Sequence, residues 1–469
     1  MATPSEIQQQ IELDREALSC GKKKLHASLQ RLQEKSYASA SVYGTASISS
    51  ALPSVMKDID TCRAKLRKGQ AGQYYRPVAE HLDNLESLAI ATIGLKITFD
   101  LVFSMKRDAA LLPTIIVSIG TSLEHECRFR WYKENHPELM KYIEDKYYHE
   151  SCGTHQKTSI ASVIFSRHDI VWPSWRIKTR AALGGWVLDR VMGTTGWFMK
   201  LTETRGRRSV CRVVPTPEFM EIREQLINTA EMFSGIPWPM LVEPNDWTNE
   251  RAGGYLTNEL MRGHELTRRG KGAVKHGDIP LKFLNKLQKV KYRVSHHVLE
   301  VAQHFKERGI KVGKFIPISE AFKPPKPPDI DDNAEARQAW KRMMAEAYNA
   351  DRMNFKRSVR TRTQLEAAEK FKDKEYYLCW SFDYRGRTYP ICAYLSPQDT
   401  DFGKSLIRFA DESFVTPESE SWLAFQVATT FGLDKAPTAE RLEWVRENHD
   451  LITKVATDPI DNLPEWEVV

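Results

Sequence analysis

Residues 380–390 read WSFDYRGRTYP. Two arginines, Arg385 and Arg387, flank Gly386 and follow Asp383, while Tyr376, Tyr377, Leu378, Trp380, Phe382, Tyr389, Ile391 and Tyr394 surround them with aromatic and apolar character. The alternation predicts a buried strand, and a buried strand does not ordinarily accept two permanent cations. Two readings follow. The forks present bidentate donors to a nucleic-acid backbone, with Gly386 letting that backbone approach the main chain. Alternatively, Asp383 and an arginine form a structural ion pair; in either case Asp383 is expected to hold a guanidinium.

The rest of the chain bounds the choice. It has 469 residues, 41% of them hydrophobic and 10% aromatic, enough for two or three packed domains. Its seven cysteines are irregularly spaced with no CxxC, which suits a reducing cytosol better than a disulfide scaffold. No signal-peptide order opens the sequence and no apolar run reaches the length of a membrane span, so a cytoplasmic protein without a membrane partner is expected. The net charge of +7 is asymmetric: residues 411–469 carry 13 acidic and 4 basic residues, a balance of −9, leaving +16 on the first 410. A basic body favours a polyanionic partner, because Lys and Arg displace counterions from phosphates.

Along the chain, heptad-spaced Ile11, Leu18, Leu25 and Leu32 predict a helix over 4–35, and the small polar run 36–54 predicts a loop. Lys57, Arg63, Lys65, Arg67, Lys68 and Arg76 lie on a segment broken by glycines, suited to phosphate or groove contact or else to a solvated turn. Residues 78–200 read as mainly helical. Two β-prone runs, 197–204 and 209–214, joined by Arg205-Gly206-Arg207-Arg208, predict a hairpin with a cationic tip. The run AFKPPKPPDIDDN (321–333) predicts a stiff polyproline linker, followed by a helix from Ala334 to Asp351. Lys356, Arg357, Arg360 and Arg362 continue a cationic run beyond it. GKS at 403–405 lacks the first glycine of a phosphate loop, since position 398 is Gln398; His149, Cys152 and His155 lack a fourth zinc ligand.

FDYRGRTYP resembles the Asp-aromatic-Arg-Gly-Arg-x-Tyr motif of the single-subunit, bacteriophage-type DNA-directed RNA polymerases, related to the mitochondrial enzymes. The likeness continues through SPQDTDFGKSLIRFA (396–410), ERLEWVRENHDLITKVATDPIDN (440–462), GGYLTN and the Ala334 helix, covering roughly 80–469 in order. It implies a mainly α fold with minor β: a helical promoter-binding domain, thumb helices and the start of a right-hand polymerase palm. The corresponding boundaries are 1–55 for an N-terminal helix and loop and 56–316 for the promoter and upstream-DNA domain. They continue with 317–372 for the Pro-rich joint and thumb, and 373–469 for the opening of the palm.

By the same resemblance, Asp383, Arg385, Gly386, Arg387, Tyr389 and Lys404 contact template and RNA–DNA hybrid. Arg63, Lys65, Arg67, Lys68 and Arg76 fall where the family keeps an upstream recognition loop. Arg205, Arg207, Arg208 and Val210 fall at a promoter-opening hairpin, whose family counterpart has an apolar tip. The thumb's basic run is Lys356, Arg357, Arg360 and Arg362. DNA, nascent RNA and ribonucleoside triphosphates are the implied partners. Mg²⁺ is the implied cofactor of the complete enzyme, held by palm aspartates on a segment not found in this sequence. The chain by itself is therefore expected not to make RNA. A non-catalytic DNA-binding regulator, or one half of a split polymerase completed by a second polypeptide, stand as alternatives.

Overall fold

A single long amphipathic segment, α1 (Pro4–Glu34), opens the chain as the sequence predicts, running through Gly21 without a break. The computed structural model describes residues 3–68, 80–83, 85–148, 153–205, 208–249, 252–257, 266–268, 276–319 and 321–466. It separates into two compact units, one comprising 1–20 with 235–469 and the other 21–234.

The second unit is helical: α2 (Val42–Arg67), α3 (Ser87–Val102), α4 (Leu112–Asn135), α5 (Pro137–Tyr147), α6 (Thr154–Arg167), α7 (Ile177–Thr195) and α8 (Pro217–Met232), with the hairpin β1 (Phe198–Arg205) and β2 (Arg208–Pro215). Its core gathers Tyr43, Ile59, Leu95, Phe99, Ile119, Val187 and Phe219. The loop expected over 36–54 is instead a 3₁₀ turn at Ala38–Ala40 followed by α2, capped by the Ser41 hydroxyl accepting from Gly44 N. Tyr43, Ser47, Ala51, Val55, Ile59 and Cys62 recur at helical spacing and are buried. That burial outweighs the poor intrinsic helix preference of Ser, Gly and Pro53.

In the first unit, α1 buries Gln10, Leu13, Asp14 and Ala17. The polar pair is satisfied internally: Gln10 Nε2 donates to Asp14 at 2.7 Å, and Leu241 N donates to Gln10 Oε1 at 2.7 Å. The remaining elements are β3 (Asn245–Asn249), β4 (Ala252–Gly254), β5 (Thr267–Arg268), α9 (Asp278–Gln288), β6 (Lys291–Val294), α10 (His296–Arg308), α11 (Ala334–Phe371), β7 (Tyr376–Tyr377), β8 (Trp380–Asp383), β9 (Thr388–Pro390), α12 (Asp401–Ser405), β10 (Ile407–Phe409), α13 (Pro417–Phe431), α14 (Thr438–Glu447), α15 (His449–Thr457) and α16 (Leu463–Trp466). One sheet has the order β10-β6-β7, all antiparallel; another has β5-β8-β9, with β5 parallel to β8. The architecture is mainly α with minor β, as the sequence implies.

Two expectations about the middle of this unit change. The helix predicted to end at Asp351 runs to Phe371 as one 38-residue rod, about 57 Å long at 1.5 Å per residue. The Pro-rich run before it does not stand apart as a linker. It lies back along α11: Ile316 N donates to Thr361 Oγ1 at 3.0 Å, Ala321 N to Asp351 at 2.6 Å, and Trp340 Nε1 to the Pro324 carbonyl at 3.1 Å. Arg337 closes the far end on the Ile330 carbonyl at 2.9 Å. Pro324, Pro327 and Ile330 are the covered positions and the residues between them are exposed. Over 321–327 that threefold periodicity is what a polyproline II strand packed on one face produces, before Ile330 N closes a turn on the Pro327 carbonyl at 3.3 Å.

Candidate nucleic-acid interface

The hairpin that carries the two arginines rests on a buried polar hub. Gln288, fully buried at the end of α9, accepts from Trp380 N at 3.1 Å and from Trp247 Nε1 at 3.0 Å, while its own amide donates to the Asn245 carbonyl at 3.3 Å. Trp380, Ser381 and Phe382 are buried, the Phe382 ring stacks on His276 at 4.7 Å, and Phe382 N donates to the Leu266 carbonyl at 2.7 Å. The strand is therefore interior, as read from the sequence, and it delivers its last residue to the surface in a fixed place.

At that surface the chain turns in three residues. Gly386 N donates to the Asp383 carbonyl at 3.0 Å and Asp383 N to the Arg387 carbonyl at 2.8 Å. Gly386 sits at φ +80, a left-handed conformation that a side chain disfavours. A Cβ there would meet nothing within 4 Å, so the glycine is required by backbone conformation and not by crowding within the chain. Asp383 does not hold a guanidinium. Its Oδ1 accepts from Arg385 N at 2.8 Å and Arg387 N at 2.9 Å. The short carboxylate reaches the nearby main-chain donors first, as Asp commonly does at turn entries. Both arginine side chains are consequently released to solvent. Arg385 lies over the exposed Tyr384 ring at 5.0 Å with Nε donating to its hydroxyl at 2.7 Å, and neither guanidinium meets a carboxylate among the described residues.

Beside the turn lies an open groove of about 700 Å³ lined by Arg387, Tyr389, Gln398 and, from α9, Ile279 and Phe283. The Gln398 amide is fixed by donating to the Thr388 carbonyl at 2.8 Å. Ile279 and Phe283 are 82% and 53% exposed, leaving an apolar wall next to the cations. Sequence reasoning missed these two; their i, i+4 spacing on one face of the helix was the available signal. Burial pushes the Tyr376 and Tyr394 hydroxyls up, and Tyr376 donates its hydroxyl to the Leu395 carbonyl at 3.5 Å.

The other predicted residues divide. Lys404 is exposed on α12, 3.6 Å from Asp401. Lys356 and Arg357 are exposed on α11. Arg360 anchors α11 by pairing with the buried Asp399 and donating to the Ala393 carbonyl at 3.2 Å, and Arg362 stacks on Phe355 at 4.4 Å. Arg63 departs from the DNA-contact reading. It is buried, and its guanidinium donates to the carbonyls of Leu82, Asp83 and Leu85 at 2.8, 2.7 and 2.9 Å. These acceptors leave its fork no face for a phosphate. Lys65 and Lys68 are exposed, and Arg67 pairs with Asp83 at 2.8 Å; Arg76 lies outside the described residues. In the hairpin, Arg205 pairs with Arg208 in the β ladder and the half-buried Val210 faces Glu203; Arg207 lies outside the described residues. Met199 and Leu201 on β1 are exposed at 43% and 42%.

Among the described residues no group of three or more His, Cys, Asp or Glu is placed to hold a metal ion. None of their helices is long and apolar enough to cross a membrane.

The described residues form a mainly helical chain with an antiparallel hairpin, a 38-residue helical rod and small sheets. Residues 7–278 match the family described as DNA-directed RNA polymerase N-terminal, and residues 415–468 match that of DNA-dependent RNA polymerase. The chain belongs to the phage-type DNA-directed RNA polymerase family. It is 25% identical to the T7 RNA polymerase of Escherichia phage T7, over 97% of this chain and 53% of that protein. It is 26% identical to the DNA-directed RNA polymerase of Enterobacteria phage K11, over 75% of this chain and 41% of that one. Against the human mitochondrial DNA-directed RNA polymerase the identity is 27%, over 54% of this chain and 21% of the relative. The chain thus spans about half the length of the phage T7 relative.

Proposed function

We propose that this chain is the template- and hybrid-gripping part of a phage-type RNA polymerase, acting in transcription. Arg385 and Arg387 would clasp the sugar-phosphate backbone of an RNA–DNA hybrid, with the Ile279–Phe283 wall against its sugars or bases and Lys404, Lys356 and Arg357 extending the cationic track. The observation that carries this reading is the release of both guanidiniums: Asp383 accepts main-chain N–H groups and leaves the forks facing solvent beside a groove. Preorganised cations with nothing to neutralise them are what backbone recognition uses. Lys65, Lys68 and the Arg205–Arg208 hairpin are the proposed upstream-DNA contacts. The proposed domain roles follow the boundaries read from the sequence.

The chemistry of nucleotide addition, with Mg²⁺ and ribonucleoside triphosphates, would lie with carboxylates outside this chain. The test is fluorescence anisotropy with a labelled RNA–DNA hybrid and with bubble DNA, paired with a template-dependent synthesis assay. Salt-sensitive binding without RNA synthesis is the expected pair of results; RNA made by the purified chain, or no binding at low salt, refutes the reading.

A further inference from the structure

A second concavity shares no residue with the groove beside the arginine turn. It lies between α10, the turn at 312–315 and α12, and its volume is about 330 Å³. Val298, Val301, Phe305, Val312, Phe315 and Phe402 line it. These walls are set by the fold. Val312 and Phe315 exchange main-chain hydrogen bonds at 3.2 and 2.7 Å around Gly313, which sits at φ +51. The Phe315 ring then meets Phe305 edge-on at 6.4 Å and Phe402 edge-on at 4.8 Å.

The interior offers water almost nothing to bond. The lining hydroxyl of Ser405 donates to the Phe402 carbonyl at 2.8 Å and is thereby spent. Lys314 and Asp401 are the charged lining residues, and their side chains are 69% and 77% exposed, so they form the mouth and not the floor. A water held in a cavity needs two to four polar partners, whereas an apolar cavity of ~150 Å³ stays dry and takes up a benzene ring. About twice that volume suits a two-ring or medium-chain hydrocarbon body, and it falls within the ~300–1,000 Å³ of ordinary small-molecule sites.

The mouth selects the other end of the ligand. Lys314 Nζ lies 3.5 Å from Asp401 Oδ2, and Lys404 Nζ lies 3.6 Å from Oδ1 of the same carboxylate. Two ammonium groups share one carboxylate, which leaves an excess of one positive charge at the edge of an apolar hollow. That pattern complements an anion with a hydrocarbon tail and disfavours a cation.

We propose that this pocket binds a small amphipathic acid, whose hydrocarbon body lies among Val301, Phe315 and Phe402 and whose carboxylate meets Lys314 and Lys404 at the mouth. The site is independent of the function proposed above, since it needs no nucleic acid.

Isothermal titration of the full chain with 2-naphthoate tests it. The expected result is saturable one-to-one binding that decanoate displaces. Val301→Phe fills the half-buried floor and should weaken binding about tenfold or more with the unfolding midpoint unchanged; Val298→Phe serves the same purpose where that variant fails to fold. Lys314→Glu should weaken 2-naphthoate about threefold or more and leave the binding of uncharged naphthalene as it was. Absence of saturable binding overturns the proposal, as does binding that neither filling variant reduces. Equal loss of naphthoate and naphthalene in Lys314→Glu overturns the assignment of the acid group to the mouth. Sedimentation of the same samples supplies a further check: a dimer that Val301→Phe dissociates would give the pocket to a second copy of the chain and overturn the proposal.

Discussion

Replacing Asp383 by alanine and by asparagine separates two roles that a sequence cannot distinguish. If Asp383 serves as an acceptor for Arg385 N and Arg387 N, at 2.8 and 2.9 Å, asparagine keeps that acceptor and alanine does not. A hydrogen bond to a charged acceptor contributes about 1.5–3 kcal/mol when sheltered, and solvent at this turn reduces the pair together to about 1–2 kcal/mol. Asp383→Ala should therefore lower stability by about 1–2 kcal/mol in urea denaturation, and Asp383→Asn by about 0.5 kcal/mol or less. Binding amplifies the contrast. Without the acceptor the turn no longer presents both forks together, and a loss of about 1.4 kcal/mol is tenfold in Kd for a labelled RNA–DNA hybrid. Asparagine removes a negative charge next to the phosphates and should bind as well as wild type or better. Anisotropy titrations at fixed salt read both. Equal damage from the two substitutions would refute the reasoning, because it would mean that the carboxylate's charge, and not its acceptor geometry, organises the arginines.

Gly403→Ala should destabilise the chain by about 1–3 kcal/mol, because a Cβ there would come within 2.5 Å of Asp399 Cγ and of Gln364 Nε2; thermal unfolding measures it, and an unchanged midpoint contradicts the packing described. Cys127 donates its thiol to the His81 carbonyl at 3.3 Å, and burial pushes it up from 9.0 to about 12. A raised folded pKa favours the protonated thiol, so its stabilising contribution is intact below pH 9 and is lost as pH rises from there toward 12. Alkylation at pH 8.5 should accordingly modify the exposed Cys20 quickly and Cys127 only after unfolding. Asp351→Ala removes the acceptor for Ala321 N and the partner of Lys323; hydrogen exchange over 316–330 should accelerate while 87–135 is unchanged.

How far the sequence leads depends on whether a residue's partner is local. The heptad stripe of α1, the β1–β2 hairpin and the interior character of 380–382 were legible because periodicity and turn chemistry are local signals. The 36–54 stretch was not, since Ser, Gly and Pro are weak helix formers and only packing of Tyr43, Val55 and Ile59 into the core overrides them. Arg63 looked like a phosphate contact, and nothing near it in sequence announces the three carbonyls some twenty residues on that absorb its donors. The proline run reads as a linker, because its docking along α11 depends on Asp351, Trp340 and Thr361, whose pairing is tertiary. At the candidate site the motif located the arginines and the glycine. It misassigned the partner of Asp383 and did not reveal the Ile279–Phe283 wall.

The central claim is that Arg385 and Arg387 each neutralise a backbone phosphate. The salt dependence of hybrid binding measures this most directly: the slope of log Kobs against log[salt] should fall by about 1.4–1.8 in Arg385→Ala/Arg387→Ala, near 0.7–0.9 per lost contact. An unchanged slope, with folding intact, would mean that the two cations touch no phosphate and that the grip lies elsewhere on the chain.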